Sequence, residues 1–284
     1  MKKFIPIYVK DYIKNKKKEL IYNLKLDTSI SVSENLKEYT NFALKAANND
    51  TLFKSFRQNK FYCWVLEHDD LKRGLENYNY IQKVSKLNKT EILKILNNID
   101  MFGGPKLMTI GDLNKVSPSS LRYLSVGVDI NRIFKYKANQ ELNVIEIGCG
   151  YGGQSIALNK LNSIKNYTYV DLKEVNQLIE KYVSMNKVSF GYQTKTLFDD
   201  FEDNYDLVIS NYAFSELPKK LQKMAYTKIL SKSKNGYMIN NSFYFSKKYK
   251  FFDKKKLKKL LPSSQFFDEN PKSDSHPENF LHIF

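Results

Sequence analysis

Hydrophobic and polar positions change rhythm once along this chain, near Asn143. Before that point, segments such as LKEYTNFALKAA and TEILKILNNI place apolar residues three and four apart, the period of an amphipathic helix. The first ~115 residues show no strand alternation and are read as helices. MFGGPKL interrupts them, because Gly103, Gly104 and Pro105 do not continue a helix, and Ser117 with Pro118 opens a short helix in VSPSSLRYL. After Asn143, NVIEIG reads as a buried strand, GQSIALNKL as a helix, YTYVDL as a strand and KEVNQLIEKYV as a helix. YQTKTLF and YDLVISN follow as strands, PKKLQKMAYTKIL as a helix and GYMINNSF as a strand. Strand and helix alternating at this spacing predict right-handed βαβ units and a parallel sheet covered on both faces. SQFFDEN and NFLHIF, separated only by a loop, predict an antiparallel pair that finishes the sheet. The expected organisation is a helical region over 1–115 and a Rossmann-like, doubly wound α/β domain over 116–284, with no internal repeat.

Composition narrows the class. At 284 residues with 42% hydrophobic and 14% aromatic content, the chain supports a sizeable core and is not a disordered protein. Two cysteines, Cys63 and Cys149, give neither a disulfide framework nor metal-ligand spacing, which suits a reducing compartment. The apolar part of MKKFIPIYVKDYIKNKKKEL is short and broken by Lys10 and Asp11, so no cleavable signal is expected. No apolar run reaches the ~18 residues of a membrane span, and a cytoplasmic location is expected. Basic residues outnumber acidic ones by 46 to 30, a net charge of +16 that favours anionic partners. Eight lysines fall between Lys247 and Lys259; they read first as a solvated helix face and second as a peripheral contact with an anionic membrane or polymer. Lysine exceeds arginine there and no aromatic–glycine signature accompanies it, which ranks nucleic acid lower.

The candidate chemistry centres on VIEIGCGYGG, Val144 to Gly153. Gly148, Gly150 and Gly153 fit G-x-G-x-x-G, which lets backbone approach a ligand at a helix N-terminus. Asp171 closes the next strand 21 positions after Gly150, where it can accept from ribose hydroxyls. Dinucleotides and S-adenosylmethionine both need these features. Three others favour the latter: Glu146 buried in the first strand, polar Asn211 and Tyr212 ending YDLVISNY at the carboxyl edge, and the terminal antiparallel pair.

VIEIGCGYGGQSIAL resembles motif I of class I S-adenosylmethionine-dependent methyltransferases, and VLEHDDLKRGLENY, GGP, SPSSLRY, EIGCGYGGQ, DLKEV and SNYAFSEL together resemble the sugar O-methyltransferase family of polysaccharide and glycoside gene clusters. The likeness runs from about Phe61 to the C-terminus; the first ~55 residues match nothing named. It implies S-adenosylmethionine as cofactor, with Gly148, Gly150, Gly152 and Asp171 as contacts. Glu146, Tyr151, Gln154, Leu172, Asn211 and Tyr212 are expected around the same cofactor, and Phe198 and Asp199 around its adenine. Its implied acceptor is a carbohydrate or nucleotide-sugar, anionic in one reading; RNA, a phosphorylated metabolite and a natural-product aglycone stay open, as does a non-catalytic homologue. A sugar hydroxyl needs a base, for which Glu216 and His68 are the catalytic candidates. Glu67, Arg122, Tyr123, Ser215 and His276 are expected near the acceptor, and Arg122 with Tyr123 suits a carboxylate clamp. His282, within the last strand, reads as a residue of core packing or of the exposed sheet surface. The acidic run DDFED reads as a solvated loop, and no metal is expected.

Overall fold

The computed structural model describes residues 36–202, 204–241, 252–272 and 277–284. The expected alternation after Asn143 is present as a seven-stranded sheet. Its strands are β3 (Leu142–Ile147), β4 (Ile164–Val170), β5 (Gly191–Lys195), β6 (Tyr205–Asn211), β7 (Ser233–Asn240), β8 (Gln265–Asp268) and β9 (Phe280–Ile283). Spatially they run β5-β4-β3-β6-β7-β9-β8, parallel except for β9, which pairs antiparallel with both β7 and β8. This is the Rossmann-like, doubly wound sheet expected, with its order reversing between β3 and β6 and its antiparallel finish. The central strands are buried on both faces, which explains why VIEI and DLVIS read as continuous apolar runs.

One face carries Ile145, Ile147, Val170, Val208 and Met238, packed beneath α10 (Lys219–Lys228) and α11 (Lys254–Leu260). The other carries Val144, Tyr167, Tyr169, Leu207 and Tyr237, covered by α6 (Pro118–Phe134), α7 (Gly153–Asn159) and α8 (Lys173–Met185). The N-terminal helices α1 (Leu36–Asn48), α2 (Asp50–Phe53), α3 (Lys60–Val65), α4 (Leu71–Val84) and α5 (Lys89–Asp100) join this second core without a break. Their ends are set locally: Asp70 caps α4 by accepting from Arg73 N at 2.9 Å, and Asn88 with Glu91 forms a capping box on α5. α9 (Ala213–Glu216) is a single turn directly after β6.

Two readings are corrected. The helical region contains a hairpin, β1 (Met108–Ile110) against β2 (Leu113–Val116), whose strands are too short to show alternation and whose turn uses Gly111 at φ +59°. The helix opened by Pro118 is long, 17 residues, because Gly127 inside it allows close approach to Leu161 and Ala157 instead of ending it. Among the described residues, no helix is long and apolar enough to cross a membrane. Residues 242–251, holding Lys247, Lys248 and Lys250 of the lysine run, lie outside the described residues, whereas the lysines from Lys254 to Lys259 lie on α11 and are exposed.

Candidate functional site

β3, β4, β5, β6, β7 and β8 all run one way, so their carboxyl ends share one edge of the sheet, where Gly148, Asp171, Asn211 and Tyr212 end or follow their strands. The glycine loop leaves β3 with Gly148, Gly150 and Gly152 at φ +78°, +62° and +92°. A side chain is strained in that region, and a Cβ on Gly148 would overlap Ala213 Cβ at the start of α9. Gly148→Ala is therefore expected to lose at least about 2 kcal/mol of stability; a circular-dichroism melt matching the parent's would refute the strain argument.

Asp171 organises this loop. Its Oδ2 accepts from Cys149 N (2.7 Å) and Gly150 N (3.1 Å), and its Oδ1 accepts from Leu172 N (2.8 Å). The carboxylate expected to reach for ribose is thus turned inward as a loop brace, with acceptor capacity left on Oδ1. Glu146 is buried on the helical face, where the Tyr167 hydroxyl donates to it at 2.8 Å. Gln154, also buried, donates to Tyr123 O at 3.1 Å and accepts from Asn211 Nδ2 at 3.3 Å, so Gln154, Asn211 and Tyr123 meet under the loop. Asn211 Oδ1 is buried without a partner. Beyond β5, Asp199 caps Thr196 N at 2.6 Å, and Phe198 is 42% exposed beside it.

Tyr151 departs from its expected role. Its ring is fully buried beneath Phe56, Tyr62, Tyr123 and Tyr182, with the Arg57 guanidinium 4.8 Å from its centroid. The loop's tyrosine therefore locks the helical layer to the sheet and does not face the crevice. Tyr123 belongs to the same cage. Arg57, 1% exposed, binds Glu67 through Nε (2.6 Å) and Nη2 (3.2 Å), and Asp100 through Nη1 (2.9 Å). Ser117 and Ser120 hydroxyls accept from its Nη2 as well. Glu67, expected near the acceptor, is spent on this pairing. Arg122, expected as a carboxylate clamp, is held by Asp69 at 2.8 Å and by Leu66 O at 3.3 Å.

Leu66 itself covers the glycine loop: its Cδ1 lies 2.8 Å from where a Cβ of Gly150 would stand. His68, two residues on, is surface-exposed; the protein packed around it, and then the Arg122 charge, hold its pKa below the ordinary value. Ser215 donates to Tyr212 O at 2.6 Å and accepts from Asn241 N at 2.9 Å. Glu216, at the end of α9, accepts from Asn241 Nδ2 at 2.8 Å. His276 lies outside the described residues. His282 is buried, its Nε2 2.7 Å from Ser264 Oγ and its ring stacked on Phe266 in core packing, the first of its two expected roles.

Three carboxyls at this edge titrate high. Burial pushes Glu146 up to about 8, Glu216 to about 7 and Asp171 to about 6, opposed by the Tyr167 hydroxyl, the Asn241 amide and the loop amides respectively. In the unfolded chain such groups titrate near ~4. The folded chain therefore keeps protons that the unfolded chain has released, and stability falls as pH rises from about 4 to about 8. His282, driven down to about 4 by burial, acts in the opposite sense below the ordinary histidine range, ~6.5. Above that range the carboxyls act alone, so the melting temperature is expected to decline from pH 6.5 to 8.5, roughly the span of the Glu216 and Glu146 titrations. A melting temperature that climbs across it would contradict the assignment.

Sequence reading missed Arg57, Leu66, Asn241 and Glu269. Only Glu269 carried a signal, as an acidic residue near the end of SQFFDEN, the segment expected to form a strand at the sheet's end.

Comparison with known proteins agrees with this geometry. Residues 132–272, just under half of the chain, match the family described as Methyltransferase small domain. A ribosomal protein L11 methyltransferase of Thermosipho melanesiensis is 29% identical over 119 residues, 42% of this chain and 45% of that protein, so the chain spans less than half of that relative's length. Among solved structures, an S-adenosylmethionine-dependent methyltransferase from Clostridium acetobutylicum aligns at TM-score 0.45 and 11% identity over 57% of this chain and 89% of its own. An O-methyltransferase from Bacillus cereus in complex with SAH aligns at TM-score 0.43 and 10% identity over 75% and 99%. The family match falls on the α/β part of the chain, over strands β3 to β8 of the sheet.

Proposed function

We propose that this protein is an S-adenosylmethionine-dependent O-methyltransferase acting on a sugar hydroxyl in surface polysaccharide, capsule or glycoside biosynthesis. The observation that carries the hydroxyl reading is Glu216. It follows β6 at the carboxyl edge, in the short helix whose Ala213 abuts Gly148, and burial brings its pKa to about 7. A carboxylate tuned there is matched to taking a proton from a weakly acidic hydroxyl near neutral pH. The resemblance of SNYAFSEL and EIGCGYGGQ to sugar methyltransferases supplies the acceptor class.

S-adenosylmethionine supplies an electrophilic methyl carbon on a sulfonium. Gly148 and Gly150 offer backbone at positive φ to such a nucleoside, Asp171 Oδ1 keeps capacity for a ribose hydroxyl, and Asn211 Oδ1 is an orphaned acceptor suited to an ammonium donor. Glu216 would take the proton of the acceptor hydroxyl, and the bound cofactor would supply the methyl group, leaving as S-adenosylhomocysteine. The helical layer, packed over the same edge through Leu66 and Tyr151, excludes water from the reaction. The lysine surplus suits an anionic glycan or a membrane-associated one.

Calorimetry with S-adenosylmethionine and with NAD tests the cofactor: micromolar-range binding is expected for the first alone. Transfer of isotopic methyl is then expected to label glycan extracts and neither RNA nor purified ribosomal protein L11. Labelling of that protein in place of glycan would instead favour the activity named for the Thermosipho relative.

A further inference from the structure

β8 is antiparallel to β9 and so points the same way as β7, and the rows Asn240↔Phe280 and Asp268↔Phe280 align their ends. Glu269, one residue past β8, therefore stands at the carboxyl edge in line with Asn241, which holds Glu216. Two intervening strand spacings separate the β7 and β8 ends, ~10 Å, about what a sugar ring with a side chain reaching it from each side occupies.

Glu269 is 4% exposed. Its Oε1 accepts from Arg73 Nη2 at 2.9 Å and from the Tyr212 hydroxyl in a short contact, whereas Oε2 is buried with no partner among the described residues. Asn211 Oδ1, beside Tyr212, is a second buried acceptor without a donor. Tyr212 connects the two and holds φ +71°, a left-handed conformation that a tyrosine adopts at a cost. Buried acceptors left unsatisfied are unfavourable, and a ligand that brings hydroxyl donors removes the penalty. Such a site discriminates strongly against a ligand lacking the donor. Resting on the sugar reading above, we propose that Glu269 anchors the acceptor by receiving a second hydroxyl of the same sugar while Glu216 receives the reacting one, so that the enzyme selects polyhydroxylated acceptors.

The test is methyl transfer to glycan extract by the full chain, by Glu269→Gln and by Arg73→Gln, each with S-adenosylhomocysteine binding and a melting curve. Glu269→Gln keeps the shape and loses the anionic acceptor. The extract concentration for half-saturation is expected to rise about tenfold or more, with the plateau rate within about twofold and S-adenosylhomocysteine affinity unchanged. Arg73→Gln removes the ion pair that holds Glu269 but leaves the carboxylate, and is expected to raise half-saturation by less than Glu269→Gln does. The inference is overturned if Glu269→Gln saturates like the parent, if both variants lose activity together, or if the loss tracks cofactor affinity and melting temperature. No labelling of glycan by the parent chain overturns the sugar reading, and this inference with it.

Discussion

Arg57→Ala is expected to cost about 3–5 kcal/mol of folding stability, the largest loss from any single side chain of the helical layer. The guanidinium sits between Glu67 and Asp100 with 1% exposure, and two serine hydroxyls and the Ile99 carbonyl complete its partners. Truncation leaves two carboxylates buried without their counter-charge; burial already raises the Glu67 pKa against the pull of Arg57. It also removes the cation from the face of Tyr151. A drop in melting temperature on the order of 10 °C follows. Adding Glu67→Gln to Arg57→Ala should recover part of the loss, because it removes one of the stranded charges. If Arg57→Ala melts with the parent, or if the double variant is worse by the sum of both changes, the buried-charge account fails.

Glu216→Gln is expected to lower kcat by about 10²–10⁴-fold with cofactor affinity preserved. Glutamine keeps the shape and the contact with Asn241 but cannot accept the proton. The parent's rate should rise with pH and level off above about 7, where Glu216 is ionised, and this limb should vanish in the variant. Because the Asn241 amide favours the ionised form, Asn241→Ala should carry the limb to higher pH. Full turnover by Glu216→Gln on the parent's own acceptor would remove Glu216 as base and return attention to His68, whose pKa is lowered by the protein packed around it and then by the Arg122 charge.

The sheet was legible because its strands are buried on both faces and its helices on one, so βαβ periodicity sits in the chain itself. The loop glycines were legible for a local reason: a positive φ demands them wherever the rest of the chain lies. Roles that depend on the docked helical layer were not. Nothing in FRQ marks Arg57 as buried, and nothing in VLEHDD says that Glu67 turns inward while Leu66 lies on Gly150. Tyr151 shows the same limit: its place in the loop suggested a ligand contact, but Phe56, Tyr62 and Tyr182, from 95 residues upstream to 31 downstream, claim the ring. Glu269 falls between these cases, since its strand was expected but its partnership with Tyr212 and Arg73 requires the folded edge.

Leu66 has a consequence for the order of events. A nucleoside that settles on the backbone at Gly150 must first evict this leucine, and the leucine's carbonyl is tied to Arg122 and Ser119. Displacing Leu66 would pull on the same short segment that carries His68 and Asp69. Under the proposed function, arrival of the methyl donor at Gly150 and movement of the His68–Asp69 segment would be one move, and initial-rate kinetics are expected to show the donor binding before the acceptor. The donor's apparent affinity is then diluted by the fraction of time this gate stays shut.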